Sequence, residues 1–278
     1  MKHLITLAAL AAPFAAAAAC PEPAVMAKAA EGWTKGERLP ALELESMEDA
    51  TCAAASFEEV LIAAYGDPVG VKVGFTSAPA QEAFGVDAPV AGPLYQPMIL
   101  EDGAEVSLAG TRSPLYEADL VVTVEDAEAL MAATSRIEAA MALDEIRPFI
   151  ELPDMALEEG VQPTGLLMAA YGVMPWRGVM GEGVRVKDLE DPLGALAAMT
   201  VDLKLDGESV STGTGEMLLG HPLDVVLFLI ESGGFELSNG SVISLGSLSP
   251  LTPAEPGVVS AEYMLADQPM SVSVTLTD

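Results

Sequence analysis

The sequence is poor in basic residues. Its 278 residues include 12 Lys and Arg against 42 Asp and Glu, so the formal net charge is −30. A protein that binds nucleic acid needs a basic surface to neutralise phosphates, so this composition argues against a nucleic-acid partner. It disfavours anionic membrane surfaces for the same reason. With 51% hydrophobic residues, the chain can still bury a substantial core.

Histidine and cysteine are scarce, with two of each. His3 lies in the apolar N-terminal segment and leaves only His221, so a multi-histidine zinc site is excluded. The sequence has no Gly-x-Ser-x-Gly segment, and Cys20 and Cys52 are a poor basis for a Cys–His nucleophile pair. Serine and cysteine hydrolase chemistry therefore has no visible components.

Long apolar runs are also missing after the N-terminus. Residues 1–19 begin with Lys2 and His3, continue as an alanine-rich run and end in three alanines, a pattern typical of a signal peptide. The run is shorter than the roughly 20 residues that a membrane-spanning helix needs. The sequence therefore predicts a periplasmic or secreted protein without a membrane span.

Export bears on the two cysteines. In an oxidising compartment, Cys20 and Cys52 most simply form a disulfide. Residues 17–20 also loosely resemble a lipoprotein cleavage box, so a lipid anchor at Cys20 is an alternative, and two free thiols are a third.

The patterns predict helices over residues 20–65, with a capping box at residues 46–49, and a mostly β domain over residues 66–278. Gly66-Asp67-Pro68 separates the two sections. Within the second section we predict strands at Val69–Phe75, Tyr95–Leu100, Glu117–Val124, Ile146–Leu152, Gly165–Tyr171, Met199–Leu205, Val242–Leu245, Val258–Met264 and Met270–Leu276, and helices at Ala78–Phe84, Ala127–Ala142 and Pro222–Ser232.

Three acidic residues stand out in predicted strands. Glu117 and Asp119 are two apart, so both side chains lie on one face, where they repel unless solvent or a cation compensates. A solvated strand start is the alternative. Glu151 is a lone acid in an apolar run and needs a partner or a metal if buried. If it faces the other two, three oxygen ligands favour Mg²⁺ or Mn²⁺, with Ca²⁺ as a further option.

Two other segments are candidates for ligand binding. Lys72 lies between glycines in a predicted strand, where it could hold a substrate carboxylate or transfer a proton; exposure on an edge strand is the alternative. Residues 211–223 are rich in glycine ahead of a predicted helix and could present N–H groups to an anion, or form only a turn before the helix.

Taken in order, these segments resemble the 2-keto-4-pentenoate hydratase branch of the fumarylacetoacetate hydrolase superfamily over about residues 66–278. The matching segments are Gly70-x-Lys72-x-Gly74-x-Thr76, Phe84-Gly85-Val86-Asp87-x-Pro89, Glu117-Ala118-Asp119, Pro148-x-x-Glu151 and Gly220-His221-Pro222-Leu223.

The resemblance implies an α+β, β-rich fold: a mixed β-roll like that of the superfamily's C-terminal domain, preceded by the helical section. It implies Mg²⁺ or Mn²⁺ held by Glu117, Asp119 and Glu151. The metal would chelate a small 2-keto acid through its carboxylate and 2-oxo oxygens and stabilise an enol or enolate, and water would then add to the conjugated double bond. A homodimer is also what the resemblance suggests.

The resemblance further implies that Lys72, Asp87 and Thr164 bind the substrate, with Lys72 and Thr164 taking part in catalysis. The chain departs from the family pattern at three positions. The family usually has an acid at the position of Val90, a basic residue at the position of Leu115 and a serine-containing segment around Pro163. A decarboxylase or carbon–carbon hydrolase of the superfamily, and a catalytically silent member that binds a metal or a carboxylate ligand, are the alternative functions.

Overall fold

The computed structural model describes residues 20–278, and the predicted signal peptide, residues 1–19, lies outside the described residues. The α-helices are α1 (Pro23–Thr34), α2 (Met47–Tyr65), α3 (Ala78–Phe84), α4 (Ala127–Met131), α5 (Arg136–Met141), α6 (Gly165–Ala170), α7 (Pro192–Ala198) and α8 (Pro222–Ser232). The strands are β1 (Gly70–Gly74), β2 (Val90–Leu94), β3 (Ile99–Glu101), β4 (Ala104–Ser107), β5 (Leu115–Val124), β6 (Leu143–Leu152), β7 (Arg177–Met180), β8 (Val184–Arg185), β9 (Thr200–Leu205), β10 (Glu208–Thr214), β11 (Val242–Ser247), β12 (Thr252–Pro253), β13 (Gly257–Leu265) and β14 (Gln268–Thr277).

Two mixed sheets organise the described part of the chain. The larger has nine strands in the order β2-β1-β11-β5-β6-β7-β3, with β12 beside β5 and β8 beside β6. The smaller has five strands in the order β10-β9-β13-β14-β4. Pairing is mostly antiparallel, but β1 runs parallel to β11, β3 to β7 and β4 to β14. This mixed, β-rich α+β architecture confirms the predicted fold class.

The main core lies on one face of the larger sheet. Successive side chains of a strand point to opposite faces, and on β5 the alternate residues Ala118, Leu120 and Val122 are buried in the core that also contains side chains of the smaller sheet. The side chains between them, Glu117 and Asp119, therefore lie on the other face. Tyr263 of β13, in the smaller sheet, connects the two sheets, since its hydroxyl donates to the main-chain oxygen of Asp119 in the larger sheet at 2.7 Å.

The N-terminal helices pack on a second core. Helix α2 begins at the predicted capping box, in which the Ser46 side chain accepts from the Asp49 N–H. Side chains of α1 and α2 contact α6 and the segment after β2, with Phe57 against Tyr171 at a ring-centroid distance of 5.2 Å. A disulfide between Cys20 and Cys52 joins the start of the described chain to α2.

Three predicted elements differ from the structure. Residues 165–170 of the predicted strand Gly165–Tyr171 form helix α6, because Thr164 caps its N-terminus by accepting from the Leu167 N–H at 3.2 Å. The single helix predicted over Ala127–Ala142 is two helices, since Ser135 starts a new one as its N-cap. In the predicted strand Tyr95–Leu100, residues 96–98 form a 3₁₀ turn and only Ile99 and Leu100 belong to β3.

No helix in residues 20–278 is long and apolar enough to span a membrane.

Candidate metal centre

Three carboxylates converge on the face of the larger sheet opposite its main core. Glu117 and Asp119 lie on β5, and Glu151 lies on β6 directly opposite Glu117. The three residues each offer a carboxylate oxygen, and these oxygens all lie within 4.8 Å of one another. The side chains are almost inaccessible to solvent, with Glu117 8%, Asp119 0% and Glu151 7% exposed. The alternative of a solvated strand start is therefore wrong.

The register that brings β5 and β6 together is fixed at their outer end. The Arg112 guanidinium, three residues before β5, forms a buried ion pair with Asp154, two residues after β6, at 2.9 Å. Asp154 also accepts from the Ser113 N–H at 2.7 Å. These contacts hold the ends of both strands side by side, so Glu117 remains opposite Glu151.

Asp119 is held by the neighbouring strand β11. Ser244 donates its hydroxyl to one carboxylate oxygen at 2.7 Å, and the Gly246 N–H donates to the other at 3.0 Å. The pairing of β5 and β11 is interrupted by a bulge between Ser244 and Ser247, which leaves this N–H free for the carboxylate. Gly246 has φ +101°, and a Cβ there would lie 2.2 Å from the Thr76 hydroxyl, so the bulge requires glycine.

Lys72 belongs to the same cluster. It lies on β1 between Val71 and Val73, which face the main core, so its side chain points to the face with the acids. It is 4% exposed, pairs with Glu151 and donates to the main-chain oxygen of Val173 at 3.2 Å. The alternative of an exposed edge-strand lysine is therefore wrong, since β1 lies between β2 and β11.

Burial and mutual repulsion raise the pKa of two of these acids. Desolvation is the largest effect on Glu117, whose pKa lies well above its ordinary value, and the charges of Glu151 and Asp119 raise it further. Desolvation followed by the charge of Glu151 raises the pKa of Asp119 to about 8, although Ser244 and Lys72 act in the opposite direction. The cluster therefore holds more negative charge than its surroundings compensate.

The donor set fits a hard divalent cation. It supplies carboxylate oxygens and no nitrogen or sulfur, a combination that suits Mg²⁺, Mn²⁺ or Ca²⁺ rather than zinc or copper. Three ionised carboxylates beside one ammonium leave an excess of two negative charges, which a dication balances. Glu117, Asp119 and Glu151 are the residues that would hold it.

The cluster opens into a cavity of about 850 Å³. Lys72, Glu117 and Glu151 line it beside a larger group of apolar side chains, which includes Phe75, Phe84, Met155, Met168 and Leu251. A cavity of this size can enclose a small organic molecule while presenting the carboxylates to one end of it.

Two residues predicted to bind substrate do not line this cavity. Thr164 is exposed, and its hydroxyl oxygen caps α6. Asp87 is exposed at a second cavity of about 750 Å³, which has no lining residue in common with the first. The structure brings Lys72 together with the three acids and leaves Thr164 and Asp87 elsewhere.

Other residues at the site were not singled out from the sequence. Ser247 at the end of β11 and Ser249 just after it line the cavity, and Ser249 accepts from the Ala118 N–H at 2.9 Å. Alternating serines after a predicted strand were the available signal. Glu216, in the glycine-rich segment before α8, also lines the cavity. It adds a third acid to the cavity lining, whereas Lys72 is the only Lys or Arg that lines this cavity in the described residues.

The chain resembles known proteins in both sequence and fold. No protein-family model matches it. It is 31% identical to 2-hydroxyhexa-2,4-dienoate hydratase from Comamonas testosteroni over 198 residues, which are 68% of this chain and 71% of the relative. It is 29% identical to 2-keto-4-pentenoate hydratase from Burkholderia vietnamiensis over 221 residues, 76% of this chain and 78% of the relative.

A solved structure has the same fold. The structure of 4-oxalocrotonate decarboxylase from Pseudomonas putida G7, complexed with magnesium and adipate, superposes with a TM-score of 0.77 at 21% identity and covers 91% of this chain and 96% of its own. The chain therefore belongs to the 2-keto-4-pentenoate hydratase branch of the fumarylacetoacetate hydrolase superfamily.

Proposed function

We propose that this protein is an exported, metal-dependent hydratase that adds water to a small 2-keto acid. The observation that carries the proposal is the buried group of Glu117, Asp119 and Glu151, of which Glu117 and Glu151 line a largely apolar cavity. Burying three acids beside one lysine is unfavourable without a further cation. The relatives supply the reaction class, since the two compared above are hydratases.

The residues of the chain have distinct roles in this proposal. The three carboxylates hold a divalent cation, which, when bound, polarises the carboxylate and 2-oxo group of the substrate. Lys72 is the cationic group at the cavity, so it grips the substrate carboxylate or moves a proton at the carbon chain. The apolar wall encloses the rest of the substrate and excludes bulk water from it.

A calorimetric titration with Mn²⁺ tests the metal site. Wild type is expected to bind one ion, and Glu151→Gln is expected to bind at least about tenfold more weakly, because one of three ligand groups loses its charge. Glu125→Gln is a matched control, since Glu125 is exposed just beyond the end of β5. Absence of binding by wild type, or equal binding by Glu151→Gln, contradicts the proposal.

The ultraviolet loss of 2-hydroxypenta-2,4-dienoate tests the reaction. Wild type with Mn²⁺ is expected to consume it and Lys72→Ala to consume it at least about 100-fold more slowly, the low end of what a positioned proton-transfer group contributes. Equal rates in the two proteins exclude Lys72 from the mechanism. Metal binding without turnover of any 2-keto acid identifies the silent binding protein instead.

Decarboxylation is the second candidate function. It is favoured by the extent of the structural match, since the superposed decarboxylase covers 91% of this chain. Release of carbon dioxide from 4-oxalocrotonate, without hydration of the dienoate, would assign this reaction. Hydrolysis of a carbon–carbon bond is a third outcome, recognised by two organic products.

Export rests on the pattern of residues 1–19 and is supported by the Cys20–Cys52 disulfide, because disulfides persist in oxidising compartments. The disulfide and a thioether lipid at Cys20 exclude each other, since both use the same sulfur. A mature protein recovered from the periplasm with Cys20 at or near its N-terminus is the expected result. The homodimer stays a prediction, which sedimentation velocity tests.

A further inference from the structure

We propose that Glu216 is a specificity-determining residue that selects against substrates carrying a second carboxylate. The inference rests on the proposed function, because it concerns the 2-keto acid that would occupy the same cavity. Glu216 lines this cavity but is exposed, whereas the metal-binding acids are buried.

The position of Glu216 is fixed by the backbone around it. It lies in a 3₁₀ turn over Gly215–Met217, and the Gly215 N–H donates to the main-chain oxygen of Met199 at 3.1 Å. Two residues after the turn, the Leu219 N–H donates to the main-chain oxygen of Thr76 at 2.8 Å, which joins the segment to the opposite cavity wall. Glu216 is therefore held at the cavity.

The charge of Glu216 is not neutralised by an ion pair within the described part of the chain. Lys72 is paired with Glu151, and the other Lys and Arg residues of the described chain do not line the cavity.

A dicarboxylic substrate would bring a second anion into this cavity. Its first carboxylate has the metal and Lys72 to balance it, but its second would meet apolar side chains and Glu216. Burial of an unpaired charge is unfavourable, and a like charge nearby adds repulsion. A substrate that ends in a methyl or vinyl group meets neither effect.

Binding of two acids of equal length tests the inference. Calorimetry with Mn²⁺ present compares 2-oxohexanoate with 2-oxoadipate, which differ only in the terminal methyl or carboxylate group. Wild type is expected to bind 2-oxohexanoate at least about tenfold more tightly. Glu216→Gln should reduce this preference several-fold, and Glu216→Arg should reverse it. Glu82→Gln makes the same charge change at an exposed residue of α3 that does not line the cavity, and should leave the preference unchanged.

The outcomes separate the two proposals. If neither acid binds, the proposed function fails and the inference fails with it. If both bind wild type equally, or if Glu216→Gln keeps the full preference of wild type, Glu216 does not determine specificity while the 2-keto acid site stands.

Discussion

Removing the charge of Lys72 should destabilise the protein strongly when no metal is present. Lys72 is 4% exposed and its ion pair with Glu151 is buried on both sides. Loss of one partner from a buried pair typically lowers the free energy of unfolding by about 3–5 kcal/mol, because the other charge stays buried without compensation. Met is the appropriate replacement, since it keeps most of the side-chain volume.

A divalent cation should restore much of the stability lost by Lys72→Met. The cation supplies the positive charge that Glu151 has lost, and it binds beside Glu117 and Asp119 as before. In a domain of this size, 1 kcal/mol shifts the Tm by about 2–4 °C. We therefore expect the variant to melt about 6–20 °C below wild type in EDTA, with a clearly smaller difference in saturating Mn²⁺.

Thermal melts at pH 8 in EDTA and in Mn²⁺ measure both effects. Lys187→Met is the control, since Lys187 is exposed and forms no ion pair in the described residues. The reasoning is refuted if Lys72→Met melts within about 2 °C of wild type in EDTA, less than 1 kcal/mol for this size of domain. It is also refuted if Mn²⁺ leaves the difference between the two proteins unchanged.

Three further predictions concern protons and strand ends. Burial raises the pKa of Asp119 from 3.8 to about 8, so the folded protein holds this proton more tightly than the unfolded chain does. The metal-free protein should therefore lose stability as the pH rises from 3.8 to about 8. Urea unfolding measures this loss, which should be smaller with Mn²⁺. Burial lowers the pKa of His221 below 6.5, so its contribution to stability should decline as pH falls below 6.5, and His221→Asn, which keeps an N-cap acceptor for α8, should remove that decline. Asp154→Ala should lower the free energy of unfolding by about 3–5 kcal/mol, because it leaves Arg112 buried without its ion-pair partner. It should also weaken Mn²⁺ binding, because it releases the ends of β5 and β6. Unchanged Mn²⁺ affinity would limit Asp154 to a structural role.

The common face of two of the clustered acids was predictable because it depends on strand alternation. The two-residue spacing of Glu117 and Asp119 fixes their common face once the segment is a strand. Helix α8 was also predicted within its observed bounds, from the proline at its start and the glycine after its end. Local patterns were sufficient for these two features, whereas the meeting of the two acids with Glu151 was implied only by the family resemblance.

The remaining features depend on hydrogen bonds and an ion pair that the apolar pattern does not indicate. A short apolar run such as residues 165–171 fits a strand or a helix equally well, and only the cap by Thr164 decides. Strand β10 is rich in serine, threonine and glycine and reads as a loop, but it forms a strand because β9 supplies hydrogen-bond partners. The Arg112–Asp154 pair joins residues 42 positions apart in the sequence, and no periodicity indicates it.

The backbone of the cavity is strained at three residues. Phe75, Val173 and Leu219 all line it and all have positive φ, at 58°, 58° and 53°, a conformation that is unfavourable for such side chains. A hydrogen bond holds the backbone at each of these residues. The Gln81 amide donates to the main-chain oxygen of Phe75 at 2.9 Å, and Lys72 donates to the main-chain oxygen of Val173 at 3.2 Å. The Leu219 N–H donates to the main-chain oxygen of Thr76 at 2.8 Å. Strained residues persist only where surrounding contacts over-determine them, and they concentrate at functional sites. On the proposed function, the contacts of Lys72 with Val173 and Glu151 would hold the ammonium group in place before a substrate binds, which would leave little reorganisation for the reaction.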